Sequence, residues 1–319
     1  MKRDIAFLWK YHKEEFTNLL NAVTRRIIKK NIFEKGYGKK VMAPAEGNEW
    51  LYQKISAGQP FVAARFGSIE IETFWAAEYE KKGGKLGGLT KRKIRRITMQ
   101  AGFFPAEKPQ VFKFQTLYKD LCCHVDGLGI WNIFMQTEMI SEYMPHTLLF
   151  ELRALEPYYH ETPWTRALEG KKVLVIHPFA ETIQRQFQKR EHLFENPQIL
   201  PEFELKTLKA VQTLAGETDD RFADWFEALE YMYQEALKLD FDVALIGCGA
   251  YGLPLAVKLK EAGKMAVHIG GALQLLFGIK GKRWDEHEVI SKMYNEYWVR
   301  PDEKDRMQQA GKVEGGCYW

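Results

Sequence analysis

The stretch from Phe241 to Trp284 constrains the fold more strongly than any other part of the sequence. An apolar, partly β-branched run at 241–246 leads directly into GCGAYG at 247–252, which fits the pattern G-x-G-x-x-G. A helical pattern then reaches Gly263, and another apolar run follows. This order predicts a strand, a glycine turn, a helix and a second parallel strand. Such a unit presents backbone N–H groups and a helix N-terminus to an anion.

Further apolar runs at 61–64 and 173–176, and another strand candidate at 203–209, alternate with helical patterns. Residues 98–125 and 135–170 are expected to be mostly helical. The predicted fold class is therefore α/β, with a Rossmann-like, mostly parallel sheet flanked by helices. We expect a basic helical N-terminal extension over residues 1–45 and a single Rossmann-like catalytic domain over residues 46–319.

Composition excludes several classes of protein. Hydrophobic residues make up 46% of the 319 residues, enough for a real core. No apolar run approaches the roughly 20 residues that a membrane span needs, and the first residues lack the pattern of a secretory signal. The four cysteines form no C-x-x-C pair, so neither a disulfide framework nor a zinc site is indicated. The expected location is a reducing cytoplasm.

The positive charge is concentrated at the N-terminus. Residues 1–40 contain eleven Lys/Arg and four Asp/Glu, a net of +7, against +4 for the whole chain, so the rest carries −3. This argues against nucleic acid as a partner, since such domains carry their basic patch on the fold itself. Apolar residues recur at helical spacing in this arm. Two interpretations stay open: a helix resting on anionic lipid, or a helix packed on the body with a solvated basic face.

A second turn combines charge with a sharp bend. The predicted strand at 61–64 is followed by Arg65, Gly67 permits a turn, and Ser68 is a good N-cap for a helix whose first turn holds Glu70. Open α/β sheets bind their ligands at this edge. The alternative is purely structural: Arg65 and Glu70 would form an ion pair that links the turn to the helix.

Two other polar residues adjoin predicted strands. Asp126 lies in a turn that leads into a short strand, where it would either reach a ligand or cap the turn. His177 follows the strand at 173–176 and would be either a ligand contact or a structural histidine.

The glycine turn does not by itself indicate NAD. The dinucleotide fingerprint needs an acidic residue about 20 positions further on, and this chain has His268-Ile269-Gly270-Gly271 there. The motif also comes late in the chain. Gly247, Gly249 and Gly252 therefore serve either a different phosphate-bearing ligand or close packing of helix on strand.

The loop after the second strand favours a nucleotide-sugar. Lys and Arg next to conformationally flexible glycines suit the binding of a diphosphate, and a tryptophan can stack on a base or sugar. Neither a Walker loop nor a G-x-S-x-G elbow is present. The polar and aromatic candidates fall within 17 residues: His268, Gln274, Lys280, Lys282, Arg283 and Trp284.

The motif RFGSIE at 65–70, with the late IGCG and HIG loops, resembles the GT-D type glycosyltransferases of bacterial surface-glycan assembly; the resemblance covers about residues 50–290. It implies transfer of a sugar from a nucleotide-diphosphate donor to a cell-surface glycan or lipid-linked acceptor. In that family an Asp-x-Glu motif serves the donor and a metal such as Mn²⁺ or Mg²⁺. Here Glu70 matches the Glu, while Ser68 stands at the Asp position. Serine is a poor substitute for a carboxylate at a divalent cation, so metal dependence stays open.

The sequence thus predicts a cytoplasmic glycosyltransferase, with peripheral contact through residues 1–40 at the inner membrane face. Arg65 with Lys282 and Arg283 would contact the diphosphate. Glu70 would serve the metal or acid–base chemistry, with Asp126 and His177 as further catalytic candidates. The alternatives are a non-catalytic nucleotide-binding module of the same pathway and, less favoured, an NAD-dependent oxidoreductase.

The binding candidates form two groups that must meet at the carboxyl edge of one parallel sheet. They are Arg65, Gly67 and Ser68 in the early turn, and Gly247, Gly249, Gly252, His268, Gln274, Lys280, Lys282, Arg283 and Trp284 in the late stretch.

Overall fold

The computed structural model describes residues 4–28, 36–305 and 316–319, without the side chains of 25–28. Eight strands form one sheet: β1 Val41–Met42, β2 Phe61–Arg65, β3 Gly127–Ile130, β4 Leu148–Glu151, β5 Lys172–His177, β6 Glu204–Lys209, β7 Val243–Ile246 and β8 Met265–His268. Their order is β1-β4-β3-β2-β8-β7-β5-β6, and every pairing is parallel. The predicted α/β class is confirmed.

Helices cover both faces of this sheet, joined by short 3₁₀ turns. They are α1 Ile5–Ile28, α2 Pro44–Ala57, α3 Ser68–Lys81, α4 Lys91–Ala101, α5 Lys108–Cys122, α6 Gln136–Tyr143, α7 Ala180–Phe187, α8 Trp225–Leu237, α9 Gly252–Glu261, α10 Leu273–Leu276 and α11 Ile290–Met293.

The apolar strands divide the core into two clusters. In β2, Val62 and Ala64 point into the cluster formed with α3, α5 and α9, whereas Phe61 and Ala63 point into the cluster formed with α2 and the chain after β8. Side chains alternate across a strand, so a strand buried on both faces must be apolar throughout. This is why the strand signals in the sequence are continuous apolar runs.

The pairing of β2 with β8 places two distant parts of the chain side by side. Phe61 lies opposite Met265, and Ala63 lies opposite Val267. Because the strands are parallel, their carboxyl ends reach the same edge of the sheet. The two segments that the sequence analysis required to meet are therefore neighbours.

Some expectations differ from the structure. Residues 148–151 were expected to be helical and form β4 instead, and most of 152–168 consists of 3₁₀ turns. The helix predicted within residues 1–40 is α1; residues 29–35 lie outside the described part, and 36–40 are not helical. Residues 41–42 already belong to the sheet. The division of the chain at residue 45 stays a prediction.

Helix α9 begins at a glycine because a side chain cannot fit there. A Cβ atom on Gly252 would lie 2.0 Å from the ring of His268, the last residue of β8. The backbone angles of Gly252 are helical, φ −61° and ψ −50°, so alanine would otherwise be favoured there. The glycine is therefore required by close packing of α9 against His268.

We expect Gly252→Ala to lower the free energy of unfolding by about 1–3 kcal/mol, because the imidazole must leave its position in a filled core. Denaturant titration measures the effect. Gly36→Ala is the matched control, since a Cβ atom there meets nothing within 4 Å. Equal stability of the two variants would show that His268 is not packed against this glycine.

Candidate functional site

A cavity of about 230 Å³ opens at the carboxyl edge of the sheet, where β2 and β8 end. Open α/β sheets place their ligands at this edge. The turn after β2 and the loop after β8 both line the cavity, and a Cβ atom on Gly270 would lie 3.4 Å from Cδ of Arg65. The lining side chains with polar or aromatic character are Arg65, Ser68, Glu70, Gln100, Trp131, Glu156, His268, Arg283, Trp284 and Tyr318.

Arg65 is the central charge of this cavity. Its guanidinium carbon lies 4.5 Å from the ring centroid of Trp131, and its Nε and Nη2 donate to the carbonyl of Phe66 at 3.3 and 3.4 Å. Trp131 donates to the same carbonyl at 2.9 Å, so ring and guanidinium are fixed together. Burial lowers the pKa of Arg65, against the opposing influence of Tyr318 and Glu70. An arginine nevertheless remains charged at neutral pH.

Glu70 lies near Arg65 without pairing with it. Its side chain is 7% exposed, and a Cβ atom on Gly67 would lie 2.0 Å from its Oε2. The carboxylate thus occupies space that only a glycine leaves free. Burial raises the pKa of Glu70, an effect partly opposed by Arg65. Within the described residues the two form no ion pair, so Arg65 is not simply a structural partner of Glu70.

Glu156 is a site residue that the sequence analysis missed. It is partly buried in the run of 3₁₀ turns after β4, where burial raises its pKa to about 7, against the opposing influence of Arg65 and Arg153. A carboxyl group that titrates near neutral pH is suited to general acid–base chemistry. In the sequence, Glu156 is marked only by the proline that follows it, and a carboxylate before a proline does not indicate a functional site.

A larger groove of about 650 Å³ adjoins the central cavity. The two spaces share Trp131, Glu156 and Trp284, and the groove continues past Arg153 and His287. Glu156 therefore lies at the boundary between the central cavity and the groove.

A small cavity of about 70 Å³ also adjoins the central one and shares with it Gln100, Gly249, Gly271 and Tyr318. Three buried polar atoms of its lining residues have no hydrogen-bond partner in the part of the chain that the structure describes. They are Oε1 of Gln100, Oε1 of Gln274 and Nε1 of Trp319. Buried polar groups are normally satisfied, so this cavity suits a ligand with both donors and acceptors.

The two histidine candidates are buried and neutral. Burial lowers the pKa of His177 and of His268 to about 3. Nδ1 of His177 accepts from the N–H of Phe179 at 3.0 Å, so its proton is on Nε2. Nδ1 of His268 lies 3.3 Å from the carbonyl of Ile246 and must donate to it. His177 lines the small cavity rather than the central one, and neither imidazole supplies an acid at neutral pH.

The three glycines of the fingerprint have different roles. Gly247 and Gly252 are required by packing: a Cβ atom on Gly247 would lie 2.7 Å from the ring of His177 and 2.8 Å from the carbonyl of Gly270. Gly249 lines both the small and the central cavity and has a positive φ of 59°, which glycine adopts without strain. Gly247 also lines the small cavity, whereas Gly252 lines neither of the two.

The basic loop after β8 reaches the site only in part. Arg283 and Trp284 line the central cavity, and the Arg283 guanidinium carbon lies 4.5 Å from the Tyr318 ring centroid. Nζ of Lys280 lies 5.2 Å from the ring centroid of Tyr294, and Lys280 does not line the cavity. Lys282 is exposed and also absent from that lining. The predicted diphosphate contact by a Lys282–Arg283 pair is thus reduced to Arg283.

Gln274 has a structural role as well as facing the small cavity. Its amide nitrogen lies 3.1–3.2 Å from the carbonyls of Ile279, Lys280 and Tyr318. It thereby ties the C-terminal residues to the loop after α10. Residues 316–319 therefore pack onto the body of the fold, with Cys317 buried.

Asp126 does not belong to the site. It immediately precedes β3, so it lies at the amino edge of the sheet, opposite the cavity. Its Oδ2 accepts from the N–H of Val62 at 2.8 Å and pairs with Lys260 at 2.7 Å. Of the two roles that the sequence left open for Asp126, these contacts fit the structural one, because its carboxylate binds the backbone of β2 and Lys260 away from the cavity.

The carboxylates of the cavity do not form a dedicated metal site. Among the described residues, no three side chains of His, Cys, Asp or Glu converge as metal ligands. Glu70 has Ser68 beside it where a second carboxylate would be needed. Its raised pKa also disfavours the ionised form that a cation requires. The residues present therefore do not fit Mn²⁺ or Mg²⁺ held by the protein alone.

No protein-family model and no curated protein matches this sequence. The chain is similar to a solved structure described as "The highly conserved domain of unknown function 1792 has a distinct glycosyltransferase fold". The identity is 13%, the match covers 73% of this chain and 79% of that one, and the TM-score is 0.43. The residues of the site itself carry the functional inference.

The raised pKa of Glu156 predicts a pH-dependent stability difference. In the folded chain the carboxyl stays protonated up to about pH 7, whereas in the unfolded chain it ionises near its ordinary value of 4.5. The folded state therefore loses stability as pH rises through this window. Glu156→Gln removes that loss, so its stability relative to the wild type should rise by roughly 2 kcal/mol between pH 4.5 and pH 8.

Urea unfolding at both pH values measures this difference. Glu195→Gln, at an exposed carboxylate, controls for the loss of one negative charge. A stability difference between Glu156→Gln and wild type that does not change with pH would contradict the buried position of Glu156.

Proposed function

We propose that this chain is a glycosyltransferase that moves a sugar from a nucleoside-diphosphate donor to a cell-surface glycan or lipid-linked acceptor. The observation that carries the proposal is the environment of Arg65. Its guanidinium lies over the ring of Trp131 at the end of a central strand, and no carboxylate in the described chain forms an ion pair with it. The remaining N–H donors of a desolvated guanidinium suit an anionic ligand such as a diphosphate.

The donor would lie across two of the three connected cavities. Arg65 and Arg283 line the central cavity from opposite segments and would bind the diphosphate between them. The unpartnered amide oxygens and indole N–H of the small cavity would bind the polar edge of the nucleobase. Trp131 and Trp284 border both the central cavity and the groove, where a ring can stack on the sugar.

The acceptor would enter through the large groove, which places its hydroxyl beside Glu156. In the reaction the bond between the sugar's anomeric carbon and the diphosphate breaks, and a bond to the acceptor oxygen forms. The acceptor hydroxyl proton passes to the Glu156 carboxylate. The leaving diphosphate carries the electron pair, and Arg65 and Arg283 stabilise its charge. Glu70, buried beside Arg65, would position the guanidinium or accept from a sugar hydroxyl.

A second candidate is a nucleotide-binding module without catalysis. Ser68 at the position of the family's carboxylate and the absence of three converging metal ligands in the described residues favour it. Such a module would bind the same donor through Arg65 but would not release a nucleoside diphosphate. An NAD-dependent oxidoreductase gains no support, since the loop after β8 supplies no carboxylate for the ribose.

Donor binding should depend on the paired N–H donors of the Arg65 and Arg283 guanidinium groups. A panel of UDP- and GDP-sugars should contain at least one that raises the melting temperature of the wild type. Arg65→Lys and Arg283→Lys should each weaken its binding by about tenfold to a hundredfold, because a lysine keeps the charge but loses the paired N–H donors.

Thermal shift and calorimetric titration measure this effect, with and without Mn²⁺. Arg190→Lys is the matched control, since Arg190 lies outside the cavities and pairs with Glu191 and Glu202 on the surface. If no sugar nucleotide stabilises the wild type, both the enzyme and the module hypotheses fail. Binding without nucleoside diphosphate release, with every acceptor tried, favours the module.

Turnover should follow the ionisation of Glu156. The base must be deprotonated, so kcat/KM should rise with pH through an inflection near 7. Glu156→Gln should lower kcat by about 10²- to 10⁴-fold and remove the inflection, with donor affinity preserved. Neither His177 nor His268 can produce this inflection, since both remain neutral above about pH 3.

Glu70→Gln serves as the comparison in the same pH series. It should lower turnover without moving the inflection, because Glu70 acts on Arg65 or on the sugar rather than on the acceptor proton. Near-normal turnover of Glu156→Gln would remove Glu156 from the mechanism, and near-normal turnover of Glu70→Gln would do the same for Glu70.

A further inference from the structure

Helix α1 has two apolar faces, and only one of them packs against the protein. On the inner face, Phe7 lies 5.9 Å from the ring of Trp75, and Tyr11 stacks on Tyr79 at 4.4 Å. The outer face carries a stripe of exposed apolar side chains at spacings of four, seven, three and four residues, which share one side of a helix. They are Ile5 (75% exposed), Trp9 (70%), Phe16 (61%), Leu19 (61%) and Val23 (47%).

The exposed stripe is not needed to hold the helix in place. The inner face already fixes α1 through aromatic contacts, and His12 adds a contact of 2.8 Å to the hydroxyl of Tyr79. Helices packed on a globular body normally turn a polar face to water. A linear row of large exposed apolar side chains therefore indicates a partner for this face.

A neighbouring loop extends the same surface. Leu86 is 79% exposed at the tip of the loop between α3 and α4. Gly87 in this loop accepts hydrogen bonds from Tyr11 at 3.3 Å and from Lys93 at 2.7 Å. Lys93 also pairs with Glu15 of α1 at 2.8 Å. Helix α1, the loop and the start of α4 are thus bound together as one surface.

Helix α4 supplies positive charge to this surface. Its sequence, KRKIRRITMQA, contains five basic residues and no acidic one. Lys93 and Arg96 are paired with Glu15 and Glu72. Lys91, Arg92 and Arg95 are exposed and have no carboxylate partner in the portion of the chain that is described. Arg92 and Leu19 line opposite sides of a groove of about 580 Å³ between the two helices.

We propose that this surface, formed by the exposed stripe of α1, Leu86 and the basic side of α4, docks onto an anionic phospholipid bilayer. The stripe would enter the boundary between headgroups and acyl chains with α1 in the membrane plane, while α4 contacts lipid phosphates. None of the helices in the described part of the chain combines the length and apolar character needed to span a bilayer. The proposed attachment, with α1 in the membrane plane, is peripheral.

Charge complementarity selects this occupant over a second copy of the chain. Two copies joined through the same stripe would bring two basic α4 helices towards each other, and like charges repel. An anionic bilayer instead attracts every unpaired cation of the surface. The exposed tryptophan at position 9, with Lys13 at 5.8 Å from its ring, suits the level of the headgroups. This inference does not depend on the proposed transfer reaction.

Co-sedimentation of the full chain with vesicles tests the proposal. We expect binding to phosphatidylcholine vesicles that contain roughly one third phosphatidylglycerol, weak binding to pure phosphatidylcholine, and a loss of binding at high salt. The double variant Trp9→Asn with Phe16→Asn should bind at least about tenfold more weakly. Arg92→Glu with Arg95→Glu should do the same and should also flatten the salt dependence.

The control variants carry the same changes elsewhere on the surface. Leu237→Asn with Val289→Asn removes two other exposed apolar side chains, and Lys189→Glu with Lys292→Glu reverses two other exposed charges. Both controls should bind as the wild type does. Equal binding to both vesicle types, no binding to either, or a dimer in light scattering that Trp9→Asn with Phe16→Asn abolishes would each overturn the proposal.

Discussion

The parallel pairing of β2 with β8 is the constraint on which the site depends. It joins segments that are about two hundred residues apart in the sequence and brings their carboxyl ends to one edge of the sheet. Arg65 ends one of these strands, and the loop with Gly270 follows the other. The two are so close that a Cβ atom on Gly270 would lie 3.4 Å from Cδ of Arg65. An antiparallel pairing, or a strand inserted between these two, would separate the candidate donor contacts.

The electrostatics of the cavity follow from burial. Two guanidinium groups remain charged there, while burial raises the pKa of both Glu70 and Glu156. Burial therefore shifts the two carboxyl groups towards their neutral, protonated form, while the arginines stay positively charged. The cavity consequently favours an anionic ligand. The same burial keeps His177 and His268 neutral. Burial thus accounts for the excess of positive charge in the cavity, for the carboxyl group that titrates near neutral pH and for the two neutral histidines.

Much of the fold could be predicted from the sequence because buried parallel strands are continuous apolar runs. β2, β5, β7 and β8 all carry that signal, and Arg65 follows from its place at the end of such a run. β4 has the same length as β7 and β8, but only its two central residues are buried, so it lacks their continuous apolar signal. Asp126 precedes β3, as the sequence indicated, but only the parallel pairing of β3 with β2 shows that this position lies at the edge of the sheet away from Arg65. Glu156 reaches the cavity only through the tertiary arrangement of its 3₁₀ turns, which no local pattern encodes.

The central claim is that Arg65 and Arg283 bind the diphosphate of a nucleotide donor between the two strand ends. A crystal structure of the chain with a nucleoside diphosphate chosen from the donor panel tests this directly. The account predicts phosphate oxygens within about 3 Å of both guanidinium groups, with the base in the small cavity beside Gln274 and Trp319. A nucleotide bound elsewhere on the chain, or phosphates that contact neither arginine, would contradict it.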